Sequence, residues 1–160
     1  MIKNETKIIN QKTQKMEKYK NFINNKWIES ESKETIKVDD PSNGKIIGEI
    51  SCAKKNEVDL AVEAAKNSYN SRVLVDMPLL SRAKLMRKIA EETRKVSKEG
   101  GELLCYENGK NIASAIKEFN DVADMFDYYA GLTDKLEGKT IPVAKNVFDY
   151  TVLEPFGVSA

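Results

Sequence analysis

The 160-residue chain contains no histidine at all. This removes the commonest general base, the Ser/His and Cys/His nucleophile pairs, and every zinc site that needs an imidazole. Cysteine is scarce: Cys52 and Cys105 lie far apart with no CxxC spacing, and both are read as free, buried or half-buried thiols of a reducing compartment. Arginine occurs only at positions 72, 82, 87 and 94, so the forked, bidentate groups that grip phosphates are few. The text holds no GxGxxG, GxxxxGK[ST] or GxSxG motif. No apolar run approaches the roughly 20 residues of a membrane span, and none of the first twenty residues forms the apolar core of a secretory signal. The 26 basic and 25 acidic residues nearly cancel to +1, which calls for neither nucleic acid nor an anionic membrane. The cytoplasm is the expected location.

What remains is strongly patterned. Residues 1–20 carry six lysines without a sustained period and read as a disordered leader, with Met16 an alternative start. From Phe22, two short apolar runs flank Asn24-Asn25-Lys26, the signature of a small hairpin. Ile36 and Val38 alternate, a Pro-Ser-Asn-Gly turn occupies 41–44, and Ile46, Ile47 and Ile50 follow, giving strand, turn and strand. Val58, Ala61, Val62, Ala65 and Tyr69 define a helix over 54–69, with Asn56 as its expected cap and Asp59 in its first turn. Pro78 opens a second helix whose apolar face runs through Leu85, Met86, Ile89, Ala90, Thr93 and Val96. Gly100-Gly101 predicts an interruption, because paired glycines cost about 2 kcal/mol of helix propensity. A short helix over ELLCYE then ends at Asn108-Gly109. The longest stripe runs through Ile112, Ala115, Ile116, Phe119, Val122, Ala123, Phe126 and Ala130. Carried to about residue 136, that helix would be roughly 38 Å long and needs a surface of similar length to cover it. A hairpin over 140–154 and the start of a strand at 155–160 complete the chain.

Few residues invite chemistry. Gly109-Lys110 has the wrong spacing for a phosphate loop and follows a helix, so it reads as a helix stop. The carboxylate pairs Asp39-Asp40, Glu91-Glu92 and Asp121/Asp124 read as solvated faces, although the last pair sits one turn apart on a helix. Tyr128-Tyr129 reads as core rather than a stacking platform. Cys105 has no cationic neighbour in sequence to make it a nucleophile.

Seven stretches, in order, resemble the N-terminal portion of the NAD(P)-dependent aldehyde dehydrogenase superfamily, from about Phe22 to Ala160. They are FINNKWIES, VDDPSNGKIIGEI, VDLAVEAAKNSY, PLLSRAKLMRKIAE, ENGKN, YYAGLTDKLEGKTIPV and FDYTVLEPFGV. Three positions depart from the family pattern: Asp40 stands for the usual Asn, Glu107 for Asp, and Asn111 for Pro.

The resemblance implies an α/β fold: the peripheral helices and β-hairpins of the cofactor domain over 21–139, without its parallel Rossmann-like sheet. It implies that 140–154 is an oligomerisation hairpin. It implies a complete enzyme that oxidises an aldehyde to a carboxylic acid with NAD or NADP, through a cysteine thiolate and a glutamate base. Those groups belong to later family segments; Cys52 and Cys105 match neither, and no cofactor is expected to bind these 160 residues alone. Asp39, through its carbonyl, and Glu107 align with a monovalent-cation site of some members. The implied partners are the remaining part of the fold and further copies in a homo-oligomer, with no nucleic acid and no membrane. Three readings stay open: an inactive fragment, one half of a split enzyme, and an interaction module that pairs through its hairpin with intact subunits. The stripe of the longest helix is expected to lie open for want of the sheet it was shaped to cover, leaving the chain marginal, self-associating or chaperone-bound.

Overall fold

The computed structural model describes residues 17–160, so residues 1–16, with most of the expected leader and Met16, lie outside the described residues. The described chain opens with a strand, β1 (Glu17–Tyr19), where the leader was expected to continue to residue 20. It gains its ladder from a distant neighbour, pairing in parallel with β5 (Lys45–Ser51), which no local pattern in the lysine-rich text could announce. On its other side β5 pairs antiparallel with β4 (Thr35–Asp40), giving the order β1-β5-β4.

β2 (Asn21–Ile23) and β3 (Lys26–Ile28) form a separate hairpin. Ile23 faces Lys26, so the loop is the two residues Asn24 and Asn25, with φ of 49° and 59°. Two left-handed residues in succession match the twist of a tight hairpin, and Asn tolerates that region better than most residues. The β4–β5 turn is organised by Asp40, whose buried carboxylate accepts from Ser42 N and from Asn43 Nδ2, each at 2.8 Å. Hydrogen bonds from Ser42, joined by Asn43 and the nearby Lys45 charge, hold that carboxyl below its usual range.

Four helices follow: α1 (Lys55–Asn70), α2 (Leu79–Lys95), α3 (Ser97–Asn108) and α4 (Ile112–Ala130). Lys54 precedes α1 as its cap residue in place of Asn56, and the helix start is secured by Glu57, which accepts from Lys54 N at 2.8 Å. Pro78 sits at the cap position of α2, one residue before the first turn. α4 is capped by Asn111, whose Oδ1 accepts from Ala113 N (2.9 Å) and Ser114 N (3.3 Å). It ends at Gly131, earlier than its pattern suggested, so it runs about 28 Å at the usual rise per residue.

Gly100 and Gly101 lie inside α3 and do not break it; the break falls at Val96 (φ −98°, ψ 4°), between α2 and α3. The reason is packing. A Cβ on Gly100 would stand 2.3 Å from the Phe119 ring, and one on Gly101 would stand 2.8 Å from the Ile116 backbone. The glycines are the places where α3 approaches α4 too closely for any side chain. Alanines supply the rest of the seam: Ala83 and Ala90 on α2, and Ala115, Ala123 and Ala130 on α4, are all buried. The expected open stripe is therefore closed along its small residues, which pack on α2 and α3. Its larger members stay half-buried (Ile116, Phe119, Phe126) or exposed (Ile112, Val122).

Beyond α4, β6 (Thr140–Ala144) and β7 (Val147–Tyr150) form a hairpin exposed at every residue. Its register slips between Ile141 and Ala144, around Pro142, which has no N–H to give the ladder. At its base Thr151 N donates to Lys139 O and Lys139 N to Thr151 Oγ1, each at 2.8 Å. Residues 155–160, expected to begin a strand, form no ladder among the described residues, since a strand exists only where a neighbour receives its hydrogen bonds.

Gly101→Ala should push α3 off α4 and lower stability by about 1–3 kcal/mol, as overpacking does; urea unfolding followed by circular dichroism measures it.

Candidate functional site

Three features could serve a function: an apolar outer face on the helices, the exposed hairpin, and the neighbourhood of Asp39 and Glu107. The helical face follows directly from the seam. α4 turns its alanines, with Ile116 and Phe119, to α2 and α3, and leaves other large side chains outside. Val122, Met125 and Tyr129, each about half exposed, line a groove of about 440 Å³ with Met86 and Phe126. Tyr128 and Tyr129, expected in the core, are both exposed and meet edge to face at 5.3 Å.

The polar border of this face is neutralised within the chain. Arg94 reaches from α2 to donate to Asp124 (2.6 Å) and Asp127 (2.7 Å) on α4. Asp121 instead takes Lys117, so Asp121 and Asp124 do not converge on a common ligand. Glu91 and Glu92 both pair with Lys95. On the hairpin, Phe148 and Tyr150 share one face with ring centroids 5.6 Å apart, and Phe148 is 77% exposed.

Asp39 and Glu107 lie on neighbouring elements, for β4 packs against α3. Asp39 sits where the β4–β5 register slips, and Glu107 is exposed in the last turn of α3. Pro41, just after β4, stands 3.0 Å from where a Gly109 Cβ would be. Glu107 lines a cleft of about 420 Å³ beside Glu99, Glu102, Tyr106 and Val38; Asp39 is not part of that lining. Among the described residues no group of three or more His, Cys, Asp or Glu side chains could hold a metal ion. One carbonyl and one carboxylate fall short of the six or more oxygens calcium takes.

Gly109 ends α3 in the left-handed conformation (φ 68°) with its N–H on Cys105 O, the stop that its sequence suggested. The next helix start is already taken, because Asn111 caps the leading N–H groups of α4, so this junction offers no phosphate cradle. Cys105 is half-buried and its thiol donates to Lys110 O at 3.0 Å. Cys52 is a second half-buried free thiol at the end of the sheet. Sequence reasoning missed Glu57 and Arg94. Glu57 is at the third position of a helix whose cap residue, Lys54, does not announce itself, and Arg94 pairs across two helices.

The chain belongs to the aldehyde dehydrogenase family, whose family model matches residues 27–160. The mitochondrial aldehyde dehydrogenase of Equus caballus is 34% identical over 139 residues, which is 86% of this chain and 28% of that protein. The peroxisomal aminoaldehyde dehydrogenase 1 of Pisum sativum is 35% identical over 146 residues, covering 87% of this chain and 29% of its own length. Among solved structures, an NAD+ complex of aldehyde dehydrogenase from Bacillus cereus superposes with a TM-score of 0.75 at 28% identity, over 83% of this chain and 27% of that one. The chain thus spans less than a third of the length of these relatives. The mixed α/β architecture is that of the matching region. Among the described residues no helix is long and apolar enough to cross a membrane.

Replacing Met125 and Tyr129 together by Lys should reduce the fluorescence of an apolar-surface dye severalfold while leaving the helical circular dichroism unchanged, since both side chains are about half exposed and outside the seam.

Proposed function

We propose that these residues are the outer frame of an NAD(P)-dependent aldehyde dehydrogenase that oxidises an aldehyde to a carboxylic acid. In this reading they contribute structure and association surfaces, and the reacting groups come from the remainder of the fold. The observation that carries it is the family match over 27–160 on a structure whose large apolar side chains face outward. The groove through Met86, Val122, Met125, Phe126 and Tyr129 is covered by that remainder, and the β6–β7 hairpin joins subunits of a homo-oligomer. NAD or NADP, when bound to the complete enzyme, accepts the hydride; this chain by itself binds neither and turns over no aldehyde. Two free cysteines fit a reducing compartment, and the proposal places the protein in the cytoplasm.

The test is reconstitution. The 160-residue chain is co-expressed with a relative's polypeptide lacking its matching N-terminal part, and NADH formation from an aldehyde is measured. Activity in the pair and none in either piece is the expected result. Turnover by the chain alone would sink the proposal.

A second reading rests on the hairpin, which is exposed along both strands. Here the chain is a non-catalytic module that pairs through 140–154 with intact subunits. Capture of a full-length relative that disappears on Phe148→Ser with Tyr150→Ser distinguishes it from the first reading, provided reconstituted activity is also absent.

The proposal includes a weak monovalent-cation site formed by the Asp39 carbonyl and Glu107. The wild-type chain should melt higher in potassium chloride than in tetramethylammonium chloride, and Glu107→Gln should abolish the difference; equal melting of the wild type in the two salts removes the site.

A further inference from the structure

The β2–β3 hairpin is hydrogen-bonded to neither of the other sheets, and Ile23 is its only buried apolar side chain. Directly after β3 the chain turns back over Ser30–Lys33, with Lys33 N donating to Ser30 O at 3.0 Å. Glu57 reaches into this turn from the start of α1. Its Oε1 accepts from Glu31 N at 2.8 Å and from Ser30 Oγ at 3.2 Å, and its Oε2 accepts from Lys54 N at 2.8 Å. Glu57 and Ser30 are each only 3% exposed. One buried carboxylate thus ties together the turn that follows the hairpin and the helix N-terminus. The two backbone N–H groups can only donate, whereas Ser30 Oγ, also 3.2 Å from Ser32 Oγ, can reverse its role; a protonated Glu57 therefore loses the charge that strengthens both N–H bonds even where its own O–H finds the serine.

We propose that Glu57 is a charge-dependent latch: ionised, it holds the β2–β3 hairpin and its following loop on α1; neutralised, it lets them go while the layer of α2, α3 and α4 stays in place. The separation of the two regions supports this, because the helix layer is closed by its own alanine and glycine seam. The other ionisable groups around the latch are exposed; Lys33, in the turn itself, has no ion pair among the described residues, and the others are engaged. Lys20 pairs with Glu29, Lys54 with Glu34, and Lys55 with Asp59, while Glu31 accepts from Asn56. The N–H of Glu31 first, and that of Lys54 next, hold the Glu57 carboxyl below its usual range against the opposing effect of burial. A depressed folded-state value means the latch is fully effective above the ordinary carboxylate range and is lost as pH falls through the depressed value.

Hydrogen exchange of the 160-residue chain, read by mass spectrometry and corrected for intrinsic rates, tests the latch. In Glu57→Gln at neutral pH, amides of residues 21–33 should exchange at least about tenfold faster, with those of 79–95 and 112–130 unchanged. The wild type should show the same selective acceleration on acidification, and Glu57→Gln should not respond further. Ser30→Ala, which removes one donor and keeps the charge, should give a smaller acceleration that retains its acid dependence. Equal hairpin exchange in Glu57→Gln and wild type overturns the proposal. So does acceleration spread evenly over the hairpin and helices, which would make Glu57 a general stability residue.

Discussion

The close approach of α4 to α2 and α3 is the constraint on which the helical layer depends. It is possible only because the facing residues are small. Ala83, Ala90, Gly101, Ala115, Ala123 and Ala130 are buried, whereas no large side chain of α2, α3 or α4 is. Small residues bring backbones together and gain their stabilisation from many weak contacts, since each alanine has little apolar surface to bury. The same choice leaves Val122, Met125, Tyr128 and Tyr129 of α4 outside. An exposed apolar face and a tight seam are two consequences of one pattern.

That trade explains how the chain relates to its family. In a self-sufficient domain of this size, Leu, Ile and Phe fill the centre and the rim is polar. Here Val122, Met125 and Tyr129 stand on the outside, and the charges beside them are matched within the chain by Arg94 and Lys117. Such a face combines an apolar centre with a border whose charges are already satisfied within the chain. Paired edge charges of this kind contribute little stability themselves.

Much of this was legible in the residues. Asn24-Asn25 announced a two-residue hairpin, Pro-Ser-Asn-Gly a turn, and Gly109 a left-handed helix end, because each is a local conformational preference. What the text hid was tertiary. β1 exists because β5 lies beside it, Gly100 and Gly101 remain helical because Phe119 and Ile116 press on them, and α4 stops at Gly131, short of its pattern. Asn111 could have been found, since an Asn directly before an apolar period is a cap signal. For Asp39 and Glu107 the sequence supplied an alignment; the fold adds that β4 and α3 are neighbours, with Glu107 at an acidic cleft whose lining excludes Asp39.

Gly100 and Gly101 also bear on where the helicity of α3 comes from. A twelve-residue segment with two adjacent glycines has almost no helical population by itself, because nucleation is costly and each glycine adds to the cost. α4, with its cap at Asn111 and nineteen residues without an internal glycine or proline, carries far more intrinsic order. Of the pair, α3 has the weaker intrinsic helicity and owes more of its shape to their contact.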